Sequence, residues 1–198
     1  MRLHLPLALI LSFIFATTAF AAPQEDVNGE EVPQGVNSVN FSPIGFMFGS
    51  YALNYERLID ESHGFLGELS YSSSSKEGSS STSSGLRLGY RWHWSKSQNS
   101  GFLGAMLAYD MGTTEQTLNG TKYDLTLSAP SVTVNIGRRW AWTSGFNVTL
   151  RFGVGRAFRT LSTSDKSDEA QEAIAEANEI LDALPVTLDG ELSIGWIF

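Results

Sequence analysis

His93, Trp94 and Ser95 place an imidazole two positions from a hydroxyl. Chemistry at such a pair is nucleophilic: the ring takes the serine proton while an acid such as Glu68 orients it. Little else in the chain suggests catalysis. Beyond residue 22 the only other histidine is His63, and cysteine is absent, so no transition-metal ligand set is expected. No Gly-rich phosphate loop leads into a helix, which leaves nucleotide binding without support, and no cofactor is expected. The plainer reading makes His93 a histidine of a polar interior beside a turn serine.

A larger set of reactive side chains is ionic. Glu56, Glu68, Asp110, Asp189 and Glu191, with Arg87, Arg91, Arg139 and Arg151, lie in segments of two-residue period. In the last such segment Val186, Leu188, Leu192, Ile194, Trp196 and Phe198 fall on one face. Thr187, Asp189, Glu191, Ser193 and Gly195 fall on the other. Strands are expected near 37–42, 46–58, 64–72, 85–94, 101–111, 130–142, 145–158 and 186–198. Parity puts all of these charged residues on one side of the sheet. Nearly balanced ions in a confined interior should pair, because each isolated one costs about several kcal/mol.

The connections alternate in length. Short turns are expected at 60–63, 95–100 and 143–144, and long loops at 73–84, 112–129 and 159–185. The first hairpin, near 42–45, is short although it falls on the long-loop side. Short turns at one end and long loops at the other describe an antiparallel barrel with an even number of strands.

The rest of the composition agrees. Arg2, the apolar run Leu7 to Phe15 and the triplet Ala19-Phe20-Ala21 read as a secretory signal peptide, with cleavage expected after Ala21 or Ala22. Residues 1–22 are thus the expected signal peptide, 23–36 a flexible acidic lead-in, and 37–198 the barrel domain. An exported chain without cysteine must be stable without disulfides. A net charge of -8 without a basic cluster argues against nucleic acid as a partner.

Periodicity does not say which face points inward, and a soluble lipocalin-like barrel would keep its apolar face inside. Side-chain bulk decides. The apolar face is too large for an eight-stranded lumen, whereas Gly89, Gly104, Gly137, Gly153, Gly155 and Gly195 lie on the other face. Large aromatics also gather at one height. Trp92, Trp94, Trp140, Trp142, Trp196 and Phe198 end strands there, and Phe65, Phe102 and Phe146 begin their neighbours. Such a level is a belt at a membrane interface on the periplasmic side. Arg138 has the lipid-facing parity beside it, where a long side chain can snorkel.

The final strand, with Trp196 and Phe198 at its apolar positions, resembles the assembly signal of bacterial outer-membrane β-barrels; Ser193 stands where Gly is usual. That resemblance implies handling by the barrel-assembly machinery. The His93-Trp94-Ser95 pattern looks like the pairing in outer-membrane lipid A deacylases, but it sits at the expected periplasmic turn, far from the outer leaflet. Taken together, the signal peptide, strand period, aromatic belt, loop asymmetry and terminal Phe198 resemble small eight-stranded barrels of the OmpA- and OmpX-like kind. The resemblance implies an all-β, antiparallel, eight-stranded transmembrane barrel in the bacterial outer membrane. It implies a non-enzymatic protein of envelope integrity, adhesion or surface binding. Its partners would be outer-membrane lipids and lipopolysaccharide, with an extracellular protein or surface. A narrow pore lined by the lumen charges is the competing non-enzymatic reading.

Function in such a barrel lives in the loops. Residues 72–84 are a Ser-rich, hydrophilic tether. Within 119–128 the alternation Tyr123, Leu125, Leu127 is expected to extend the sixth strand above the membrane, and Pro130 shifts the parity there and is expected to make a bulge at the rim. A helix is expected over 166–184, with Ala170, Ala173, Ile174, Ala177, Ile180, Leu181 and Leu184 on one side and acids on the other, stopped by Pro185. It is expected to lie on the rim as a lid, with a protein-docking surface or a divalent-cation bridge to lipopolysaccharide as sharper roles.

Overall fold

The computed structural model describes residues 35–76, 79–118 and 121–198. The expected signal peptide and all but the last two residues of the lead-in lie outside them. Among the described residues nine strands form: β1 Asn37–Phe41, β2 Ser50–Leu58, β3 His63–Lys76, β4 Ser79–His93, β5 Gly101–Leu118, β6 Thr121–Ala141, β7 Phe146–Ala157, β8 Thr160–Thr163 and β9 Val186–Ile197. Two helices interrupt them, α1 Pro43–Met47 and α2 Asp168–Ala183.

Every pairing is antiparallel, each of β1 to β6 pairs with the next, and β9 joins β7 to β1. The sheet therefore closes on itself as an eight-stranded barrel, with β8 an outgrowth of β7 that pairs with β6. Following paired residues from Trp140 through Val148, Ile194, Phe41, Leu53, Leu69, Leu86 and Tyr109 returns to β6 at Pro130, ten residues away. That stagger is what tilts the strands of a closed barrel. Asn37 and Phe198 exchange both backbone hydrogen bonds, at 3.0 and 2.9 Å, and so close the seam at the short-turn end.

Several expectations need correction. The second strand starts at Ser50, not near 46, because Ser42 caps a short helix through its Oγ (3.3 Å from Gly45 N) with Pro43 in the first turn. The segments 73–76, 79–84 and 112–118 are strand, not loop, and 121–129 extends the sixth strand as its alternation predicts. They continue β3 to β6 as long hairpins, held by ladders and by hydroxyl contacts such as Ser72–Ser83 and Thr82–Thr113, each 2.8 Å. Pro130 makes no bulge, since the β5–β6 register runs unbroken past it. Its carbonyl accepts from Phe158 N at 2.8 Å, and its missing N–H faces that same neighbour, because the N–H and C=O of one strand residue point to the same side. The ladder there breaks between Ala157 and Thr160, dividing β7 from β8. Finally, Phe102 is fully buried inside the barrel and leaves the aromatic belt.

The acidic helix forms over nearly the expected range. Ser167 caps it, Asp168 and Glu169 complement its N-terminus, and it ends just before Pro185. Asp165 accepts from Ser167 N at 2.9 Å, and this backbone hydrogen bond holds its carboxyl below the usual carboxylate range. The stabilisation is therefore present above that range and is lost as pH falls through the lowered value. The helix docks on β8 through Asn178, which accepts from Leu161 N (2.7 Å) and donates to Leu161 O (3.0 Å). Asn178→Ala should release it, at about 1–3 kcal/mol for the two bonds, read as faster amide exchange in 168–183 with barrel amides unchanged.

Candidate functional site: the charged lumen

Strand alternation sends Glu56, Glu68, Arg91, Arg139 and Arg151 inward, where all five are buried. Arg87, Asp110, Asp189 and Glu191 join them, and the nine charged side chains form one continuous network. At the short-turn end Glu56 is the hub. It accepts from Arg91 (2.8 Å), Arg139 (2.7 Å) and His93 Nε2 (2.8 Å). Arg139 also donates to Thr149 Oγ1 (3.0 Å) and to the Gln98 amide oxygen.

Midway, Glu191 accepts from Arg91 (2.6 Å), Asn54 (2.8 Å) and Ser193 (2.6 Å), and Arg151 lies within ion-pair distance at 3.0 Å. Toward the hairpin end Arg151 lies 3.3 Å from Glu68 and 3.0 Å from Asp189, while Arg87 spans Glu68 (2.7 Å) and Asp110 (2.9 Å). Each interior ion thus has a counter-ion within direct reach, which is what burial of charge requires. Leu58, Leu66, Phe102 and Met106 are apolar side chains buried in the same interior. Arg91 lies over the Phe102 ring at 4.4 Å, a cation–π contact.

The nucleophilic pair does not assemble. His93 Nε2 is engaged by Glu56, its ring packs against Phe102 with centroids 5.5 Å apart, and no hydrogen bond joins it to the Ser95 hydroxyl among the described residues. Glu68, the acid expected to orient the ring, belongs instead to Arg87 and Arg151. His63 bonds the Tyr90 hydroxyl. Parity could have found Asn54 and Thr149, which share the inward face of their strands. Gln98 lies in a turn without period, and nothing in the sequence marks it.

Outside, the polarity is reversed. Trp92, Trp94, Trp142, Trp196 and Phe198 are exposed, as are Leu53, Leu69, Leu88, Leu107, Val134, Ile136 and Phe152 along the staves. Trp140 is half-buried on the same surface. Trp142, Phe146 and Trp196 form a run of rings with centroids 5.3 and 5.5 Å apart. Charges within and a continuous apolar mantle without are the inverse of a soluble barrel, and in water such a patch would far exceed what monomers expose. The chain is a transmembrane β-barrel.

No family model matches the chain, and no curated protein matches it. Among solved structures it is similar to CarO of Acinetobacter baumannii, at 11% identity, over 85% of this chain and 100% of that one, with a TM-score of 0.42. CarO2 of the same organism matches at 10% identity over the same shares, with a TM-score of 0.45. At such identity nothing of those proteins' activity transfers to this barrel.

Proposed function

We propose that the protein is a non-enzymatic bacterial outer-membrane barrel whose lumen is closed by its own ions. It would serve envelope integrity or surface binding through the long hairpins and α2. The observation that carries this is the unbroken run from His93 through Glu56, Arg91, Glu191, Arg151, Glu68 and Arg87 to Asp110, with contacts of 2.6–3.3 Å. An ion crossing the lumen would have to part several of these pairs at once. The interior of an eight-stranded barrel is just wide enough for side chains to fill.

The lipid A deacylase reading lacks its serine contact and has its histidine at the wrong end of the barrel. Lipopolysaccharide, an extracellular protein and the barrel-assembly machinery remain the expected partners. Planar-bilayer recording tests the closed lumen. The wild type should give no regular unitary conductance, and reproducible single-channel steps from wild-type barrels would overturn the reading. His93→Ala should leave lipid A acylation of the host envelope unchanged.

A further inference from the structure

Arg138 stands on the apolar mantle with a charge that the protein leaves unanswered. It alternates with the buried Arg139, so it shares the outward face of β6 with Val134 and Ile136, which are 62% and 54% exposed. Strand pairing sets Gly101 of β5 on one side of it and Leu150 of β7 on the other. Trp140 and Trp142 of the aromatic belt follow two and four residues along the chain. Two residues of tilted strand span about 5 Å of membrane depth. Arg138 therefore lies just inside the interface at the short-turn end, where a long side chain reaches the headgroups.

Its partners are missing from the chain itself. The residue is half-buried, and its Nε is covered and without a hydrogen-bond partner. Among the described residues no ion pair includes it, and no ring lies under its guanidinium. Arg139, one residue on, is by contrast closed onto Glu56 at 2.7 Å. Beside Arg138, the Trp94 indole lies flat across Gly101, where any side chain would run into the ring. Trp94 opens the β4–β5 connection, which carries the exposed Lys96 and no acid, and the β6–β7 turn at 142–145 carries no charge.

We infer that Arg138, walled by Trp94, binds the phosphate of one anionic phospholipid of the periplasmic leaflet, of the phosphatidylglycerol class. The inference rests on the transmembrane reading above, in which the short-turn end is periplasmic. A guanidinium offers phosphate oxygens a planar fork of donors, and an indole at this height brings a donor of its own. The surrounding charges select the net charge of the head. An ethanolamine head would bring an ammonium to a surface with Arg138 and Lys96 and no carboxylate in the adjoining turns. A glycerol head brings no charge beyond its phosphate, and so avoids that repulsion.

The test is native mass spectrometry of the full chain in a short polyoxyethylene detergent. Dimyristoyl phosphatidylglycerol and dimyristoyl phosphatidylethanolamine are titrated separately. The wild type should retain one saturable phosphatidylglycerol adduct and hold the ethanolamine lipid more weakly. Arg138→Gln should weaken the adduct at least about tenfold, equivalent to about 1.4 kcal/mol. Arg138→Lys keeps the charge without the fork and should weaken it about threefold. Arg156→Gln is the control for net charge. Arg156 is exposed at the other end of β7, paired with Val132 and Val186, and its removal should leave the adduct unchanged. Adducts that climb without saturating, equal retention of the two lipids, or equal losses in Arg138→Gln and Arg156→Gln would each overturn the inference. Every variant is first checked for a mobility difference between boiled and unboiled gel samples, and if Arg138→Gln fails to fold, Arg138→Lys against Arg156→Gln decides. A wild type that lacks the mobility difference would instead overturn the transmembrane reading.

Discussion

Glu56→Gln should destabilise the barrel by about 3–5 kcal/mol, the usual result of removing one partner from a buried ion network. The size follows from the hub geometry. Among the described residues Arg139 has no other carboxylate within ion-pair reach, and Arg91 keeps only Glu191. Both guanidiniums are fully buried, so neither can recover its lost counter-ion from water. His93 would lose its only partner, because its Nδ1 is already without one among the described residues. The amide preserves shape and isolates charge. Urea unfolding from lipid vesicles, followed by tryptophan fluorescence, measures the loss. Glu61→Gln, in an exposed turn, should stay within about 0.5 kcal/mol.

Val134→Arg should cost about 2–4 kcal/mol if the residue sits near the bilayer midplane. Val134 is 62% exposed in the isolated chain, and in a soluble barrel a charge there would be nearly neutral. Its neighbours on the surface, Ala105 and Val154 by direct pairing, offer no counter-ion. The same vesicle titration reads the effect, and Leu107→Arg, 64% exposed on the adjoining strand, should behave alike. Near-zero cost at both positions would mean that this surface meets water. The two predictions are complementary: one removes a charge from within and the other adds one outside, and both destabilise.

The strand period made most of this architecture legible. An inward set that ran from Glu56 to Glu191 followed from parity alone, because a closed barrel gives each strand residue only two choices. Pairing partners were not legible, since they depend on the ten-residue stagger, which no single strand encodes. Hence His93 meets Glu56 rather than Glu68. The Ser-rich hairpins escaped notice for a different reason. Where both faces are polar, as in Ser72–Ser75 opposite Ser80–Ser83, alternation carries no signal and only the ladder reveals strand. Phe102 was misplaced because aromatic type outweighed its parity with Gly104, Met106 and Asp110, which all face inward. The α1 turn was hidden in an apolar run, Ile44 to Phe48, whose bulk imitates a strand.

The measurement closest to the central claim is gel mobility of the membrane fraction, compared with and without boiling. A barrel with charges sealed inside and its apolar mantle outside should resist detergent when cold. It should then run at a different position until heat opens it, and only outer-membrane fractions should show the difference. Recovery in the soluble periplasm with identical mobility in both lanes would contradict the account, for the exposed Trp and Leu surface would then have no bilayer to meet.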